Sequence, residues 1–175
     1  MREFSTKDLT LAAMVAALYA VMGYFGNIFG LTFGTIQFRF AEALTVLPFL
    51  FPATVPGLFA GCLIVNLLSP YGPMDIVVGS AATLIAAIWT GKLKNKWLAP
   101  LPPVLCNTVL VGFTIGWAEA NGFTAAFPIA WAWNGFTVGL GELVVCYVLG
   151  LLLLEMLPRV KVLRDLIPEK RIATL

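Results

Sequence analysis

Residues 131–156 read WAWNGFTVGLGELVVCYVLGLLLLEM, with charge only at Glu142 and Glu155. The run exceeds the roughly 20 mostly apolar residues that a helix needs to cross a bilayer. It therefore reads as a membrane span, and it holds a carboxylate, Glu142, near its middle. That placement is costly unless the group has a partner, a proton or a task.

The rest of the chain agrees. Its 175 residues are 60% hydrophobic and 11% charged, with a mean hydropathy of +0.93. A soluble domain is about 45–50% apolar and about 25% charged, so this chain carries too little charge to coat a water-facing surface. Lipid is the expected solvent, and the length suits one domain, residues 1–175. Apolar runs predict an all-α integral membrane bundle of six transmembrane helices at about 9–26, 37–53, 55–69, 74–91, 97–118 and 131–156. Gly, Pro and polar residues punctuate the gaps: Phe29–Thr35, Phe51-Pro52, Pro56-Gly57, Ser69–Pro73, Gly91–Lys96 and Trp117–Pro128. The first run could instead be a signal peptide, with Leu18-Tyr19-Ala20 imitating a cleavage site. Glu3 and Asp8 dilute its basic start, however, and the apolar run continues past Ala20.

Charge placement sets the expected orientation. Basic residues gather at Arg2 and Lys7, at Lys92, Lys94 and Lys96, and at Arg159, Lys161, Arg164, Lys170 and Arg171; Arg39 stands apart. The positive-inside rule puts these clusters, and both termini, in the cytoplasm. Loops 27–36, 69–73 and 119–130, which lack Lys and Arg, then fall outside. The basic residues form no stripe interleaved with stacking aromatics, which argues against nucleic-acid binding. The chain has no His, and Cys62, Cys106 and Cys146 lie singly in apolar runs, so neither a metal site nor a disulfide framework is expected. No phosphate-binding loop or nucleophile–base constellation is visible, so no cofactor and no enzyme chemistry are expected. Nor is there the internal repeat on which many self-sufficient carriers are built. A small bundle that binds a solute without these devices needs an energising partner.

The polar residues sort toward one end. Gln37, Arg39, Glu42, Asn66, Tyr71, Asp75 and Asn134 fall in the outer half, Glu119 just beyond it, and Glu142 near mid-span. Arg39 and Glu42, three residues apart, share a helix face. Trp131, Asn134, Val138 and Glu142 follow a three-then-four spacing along another. One Arg against Glu42, Asp75, Glu119 and Glu142 favours a cationic or donor-rich ligand. Plainer roles stay open: a packing ion pair for Arg39–Glu42, a helix-start acid for Asp75, a solvated loop for Glu119, an interfacial belt for Trp131 and Trp133. Small residues four apart, at Ala12, Ala16 and Ala20, at Gly57 and Gly61, and at Gly135 and Gly139, allow close helix packing or docking of another membrane subunit.

With these features in place, the sequence resembles the substrate-binding S-components of energy-coupling factor (ECF) transporters. Gln37-Phe38-Arg39-Phe40-Ala41-Glu42-Ala43-Leu44 with Leu47-Pro48, and Asn66–Ile76, are similar to QueT-type queuosine-precursor transporters. The resemblance implies a multi-pass protein of a prokaryotic cell membrane that captures a 7-deazaguanine, such as the 7-aminomethyl compound or queuine, from outside. It further implies a transmembrane coupling subunit and two ATPases as partners, met through Ala12, Ala16 and Ala20. Gln37, Arg39, Glu42, Asn66, Tyr71, Asp75, Trp131, Asn134 and Glu142 would form the substrate site, with Trp131 and Tyr71 stacking on the heterocycle. An S-component for another vitamin-like solute, a self-contained cation or metabolite carrier, and a ligand-free assembly subunit are the competing readings.

Overall fold

The computed structural model describes residues 5–33 and 37–172, and the regular structure among them is helical. Helix α1 (Thr6–Ile28) opens on a capping box. Ser5 Oγ accepts from the Asp8 amide at 3.2 Å, and Asp8 accepts from the Ser5 amide at 3.1 Å, satisfying donors that a helix start leaves bare. It stops at Gly30, whose φ of +69° suits a residue without Cβ.

The next segment, Phe40–Phe49, is a ten-residue 3₁₀ helix with Pro48 inside it. Proline has no N–H to donate and its ring collides with the carbonyl of an α turn. The Thr45 hydroxyl takes the Glu42 carbonyl at 2.5 Å, so local bonds favour the tighter winding. A short turn at Pro52–Thr54 leads into α2 (Val55–Asn66), and α3 covers Pro73–Thr90. Then α4 (Leu101–Cys106) runs through a π turn, Asn107–Val111, into α5 (Gly112–Glu119). Likewise α6 (Phe127–Val144) passes through a π turn, Val145–Gly150, into α7 (Leu151–Met156).

Four stretches are long and apolar enough to cross a membrane: Thr6–Ile28, Pro73–Thr90, Lys96–Glu119 and Phe127–Arg159. Two of the six expected spans come out shorter. Residues 37–53 give only the 3₁₀ helix, because Pro48 denies them an α-helix, and residues 55–69 give α2, which ends at Asn66. The last span starts four residues earlier than expected, at Phe127.

Contacts fix how the segments run. Gly57 faces the Ala12 carbonyl, Gly61 faces Ala16 and Tyr19, and Gly23 faces Val65, so α1 and α2 lie parallel at backbone distance. Cys62 to Thr83 (3.1 Å) and Asn66 to Ser80 (3.3 Å) set α3 antiparallel to α2. Gly112 against Gly135, and Gly116 against Trp131, set α5 antiparallel to α6. Gly141 meets Gln37, and Gly150 meets Val46, which brings the last span back to the 3₁₀ helix and closes the ring.

One end of this ring is sealed by apolar packing. Val46, Phe49, Leu50, Phe51, Ala99, Leu154 and Ile167 form a buried cluster at the end that carries Lys92, Lys94 and Lys96. The C-terminal stretch is pinned over it: Arg171 donates to the Leu93 carbonyl at 2.6 Å and to the Gly91 carbonyl, with its guanidinium over Phe49. The large side chains left outside are apolar along every long helix, among them Met14, Val21, Phe25, Val77, Ile85, Phe136 and Val148. That is the surface a bilayer requires.

The expected Ala stripe turns inward. Ala12 is buried against Gly57, and Ala16 is half-buried against Gly61. The neighbouring face, Ala13, Met14, Ala17 and Leu18, is the exposed one.

A side chain at Gly57 would collide with the Ala12 backbone, which has no rotamer to yield. Gly57→Val is expected to destabilise the protein by about 3 kcal/mol, the upper part of the overpacking range. Thermal unfolding in detergent would show this as a lowered midpoint.

Candidate ligand-binding site

The centre of the ring is polar and buried. Glu42, fully buried, projects from the first turn of the 3₁₀ helix. Its Oε1 accepts from Tyr19 Oη at 2.5 Å and from Thr83 Oγ1 at 3.3 Å, and lies 3.8 Å from Arg39 Nε. Arg39 in turn donates to Asn66 Oδ1 at 3.1 Å and lies 6.0 Å from the Phe33 ring centroid. The Asn66 amide nitrogen reaches Ser80 Oγ at 3.3 Å and the Asp75 carbonyl at 3.4 Å. Four elements, α1, the 3₁₀ helix, α2 and α3, are thus tied through one carboxylate and one guanidinium.

A second carboxylate faces the first. Glu142 on α6 is fully buried, and the groups acting on it include Glu42, Arg39, Cys146 and Asn107. The Cys146 thiol lies 3.5 Å from both Glu142 Oε2 and the Glu42 carbonyl. A thiol is a weak donor, so Glu142 is poorly satisfied.

Several buried atoms in this region meet no partner: Gln37 Oε1, Glu42 Oε2, Asp75 Oδ1, Glu142 Oε1, and both polar atoms of Asn107. Burying a polar atom unpaired costs about 1–3 kcal/mol, and folded proteins rarely tolerate it. Here it recurs on five side chains in one region. All but the amide nitrogen of Asn107 are acceptors, so the region is set to receive N–H donors.

Toward the end away from Lys92, Lys94 and Lys96 a rim continues the acidic character. Asp75 Oδ2 accepts from Ser69 Oγ at 2.6 Å, and Glu119 Oε2 accepts from Asn134 Nδ2 at 2.6 Å. Burial, and then the charges of Glu119 and Asp75, push the half-buried Tyr71 phenol above its ordinary pKa.

Of the residues singled out from sequence, Arg39, Glu42 and Asn66 form one connected network, and Gln37, Asp75 and Glu142 bring unpartnered oxygens to it. Tyr71 and Asn134 sit on the rim. Trp131 is not brought into the cluster. Its indole N–H is committed to the Val109 carbonyl at 3.0 Å, and its ring stacks on Phe127 (5.8 Å, 19°) at the bundle's exterior, 36% exposed. The stripe of Asn134, Val138 and Glu142 does face inward. Tyr19, Thr83, Ser80, Phe33 and Asn107 escaped the sequence reading. Tyr19 carried a signal, because a phenol in the middle of an Ala-rich span must find a partner. Asn107 carried one too, as an amide inside an apolar run.

A model of the QueT transporter family matches residues 9–159. The chain is 33% identical over 85 residues to a queuosine precursor transporter, QueT, of Lactococcus lactis subsp. cremoris; this is 49% of the chain and 50% of that relative, so the match spans about half the relative's length. No solved structure matches.

Hydrogen bonds to charged groups contribute about 1.5–3 kcal/mol. Tyr19→Phe deletes the bond to Glu42 with little change in shape, and a loss of that size is expected in thermal unfolding. An unchanged midpoint would mean that the phenol does not hold the carboxylate.

Proposed function

The chain belongs to the QueT transporter family, and from that premise we propose that it is the substrate-capturing subunit of an ECF-type importer for a queuosine precursor. The observation that carries this reading is the set of unpartnered acceptors on Gln37, Glu42, Asp75 and Glu142, buried behind an apolar seal at the basic end of the bundle.

The chemistry suits a 7-deazaguanine. Its pyrimidine ring presents adjacent ring and exocyclic N–H donors, and the 7-aminomethyl form adds a cation. Buried Glu42, Asp75 and Glu142 face only Arg39 as a buried cation among the described residues, so a ligand bringing positive charge or several donors relieves an imbalance already present. In this assignment Glu142 accepts from the ring edge, Glu42 or Asp75 takes the aminomethyl group, Gln37 and Asn66 add amide contacts, and Tyr71 and Asn134 line the entrance. Phe33, already over Arg39, is a better placed aromatic than Trp131 to lie on a flat heterocycle.

Six crossings fit the dimensions. Ten residues of 3₁₀ helix at about 2.0 Å each cover about 20 Å. Residues 37–39, if extended, add about 10 Å, which reaches the roughly 30 Å of a bilayer's apolar core. Both termini and the Lys92–Lys96 loop then lie on the cytoplasmic face of a prokaryotic cell membrane, with the polar site opening outward. Energy would come from two partner ATPases through a transmembrane coupling subunit. That subunit would meet α1 on its exposed Ala13, Met14 and Ala17 face, since Ala12 and Ala16 are spent on α2.

Glu142→Gln keeps the shape and removes the charge. Titration calorimetry with 7-aminomethyl-7-deazaguanine should show affinity lowered by about 30-fold or more, with the thermal midpoint kept. Unchanged affinity would remove Glu142 from the site. Uptake into vesicles should need the coupling subunit, both ATPases and ATP; uptake by this chain alone would contradict the capture role.

A further inference from the structure

Among the described residues, Asn107 is the side chain with both amide atoms buried and unpartnered. It is 1% exposed, within a mostly apolar segment, residues 101–112, whose other polar side chain is Thr108. An apolar residue there would avoid the cost of stranding two polar atoms, so the amide asks for a use.

The backbone around it is built to aim it. Asn107 is the first residue of the π turn Asn107–Val111, and single π turns inside α-helices recur at functional sites. The next residue, Thr108, is wedged against Gly135 and Gly139 of α6, where a Cβ would strike its carbonyl or its hydroxyl. Two glycines therefore fix how closely this segment approaches α6. Three residues beyond Gly139 stands Glu142, and Asn107 is near enough to act on its carboxylate. The Asn107 amide thus lies within hydrogen-bonding reach of Glu142, yet no well-formed bond joins them and Glu142 Oε1 is left without a partner. Two side chains from facing helices thus stand side by side, each holding back hydrogen-bonding capacity.

We propose that Asn107 and Glu142 together read the edge of the heterocycle, and that the edge they read is the 2-amino-4-oxopyrimidine edge of a guanine-like base. This rests on the capture reading above and adds to it the pair that sets specificity. A carboxylate has two oxygens for two adjacent N–H donors, the ring N–H and the exocyclic amine. The amide nitrogen of Asn107 donates to the ring carbonyl beside them. An adenine-like edge fails at Glu142, because it turns a ring nitrogen lone pair toward a carboxylate; this leaves two acceptors face to face with no proton between them.

The test compares wild type, Asn107→Leu and Asn107→Ala for binding of 7-deazaguanine and 7-deazaadenine, with the ligand-free thermal midpoint of each. Wild type should bind 7-deazaguanine and reject 7-deazaadenine. Both variants should bind 7-deazaguanine about 10- to 100-fold more weakly. Asn107→Leu should match or exceed the wild-type midpoint, because it removes a stranded amide and fills the same space. A merely structural amide would give the opposite pattern: a lowered midpoint for both variants, with affinity kept in whatever folds. That result overturns the proposal while leaving the capture reading in place. A wild type that ignores 7-deazaguanine overturns both, and one that binds the two bases equally overturns the edge assignment alone.

Discussion

The structure hangs on a buried carboxylate held from three sides. Glu42 receives the Tyr19 phenol, the Thr83 hydroxyl and the Arg39 guanidinium on one oxygen. Removing two charges from solvent is expensive, and attraction between them repays it only where further hydrogen bonds complete the geometry. Asn66, anchored by Ser80, supplies that completion for Arg39. Much of what lies around the network follows from it. The 3₁₀ winding over Phe40–Phe49 brings Glu42 to Tyr19, and the glycines of α2 let α1 approach closely enough for the phenol to reach.

A network that was only structural would close on itself. This one does not, since the second oxygen of Glu42 and those of Gln37, Asp75 and Glu142 are left over. In a low-dielectric interior a half-satisfied network is less stable than an apolar core. Such a deficit is tolerable where a ligand makes it good, and the ligand then binds with the stabilisation that the protein alone forgoes. The asymmetry of the bundle points the same way, with apolar side chains and the pinned C-terminal stretch at one end and acidic and hydroxyl groups toward the other.

Much of this was legible in the sequence, and the failures have physical causes. The long apolar runs, the Arg39–Glu42 pairing and the mid-span Glu142 could be read because charge in lipid is so costly that each instance is informative. The short second segment was misjudged because hydropathy reports solvent, not winding, and only Pro48 hinted at a 3₁₀ helix. Trp131 followed the correct three-then-four spacing but lies at the edge of the buried stripe, where rotation by a fraction of a turn decides between interior and lipid. The Ala stripe of α1 was a true packing signal whose addressee, α2 or another protein, spacing cannot name. Tyr19 and Asn107 were passed over because neutral polar residues stand out less than charges, although in a bilayer they too need partners.

The central claim is that these unpartnered groups await a heterocycle with adjacent N–H donors. It is tested most directly by mass spectrometry of the small molecule that the purified protein carries from the membrane. The account predicts a 7-deazaguanine, present in wild type and released on denaturation. Recovery of a solute without such an edge, such as a simple metal cation or a carboxylic acid, would contradict it.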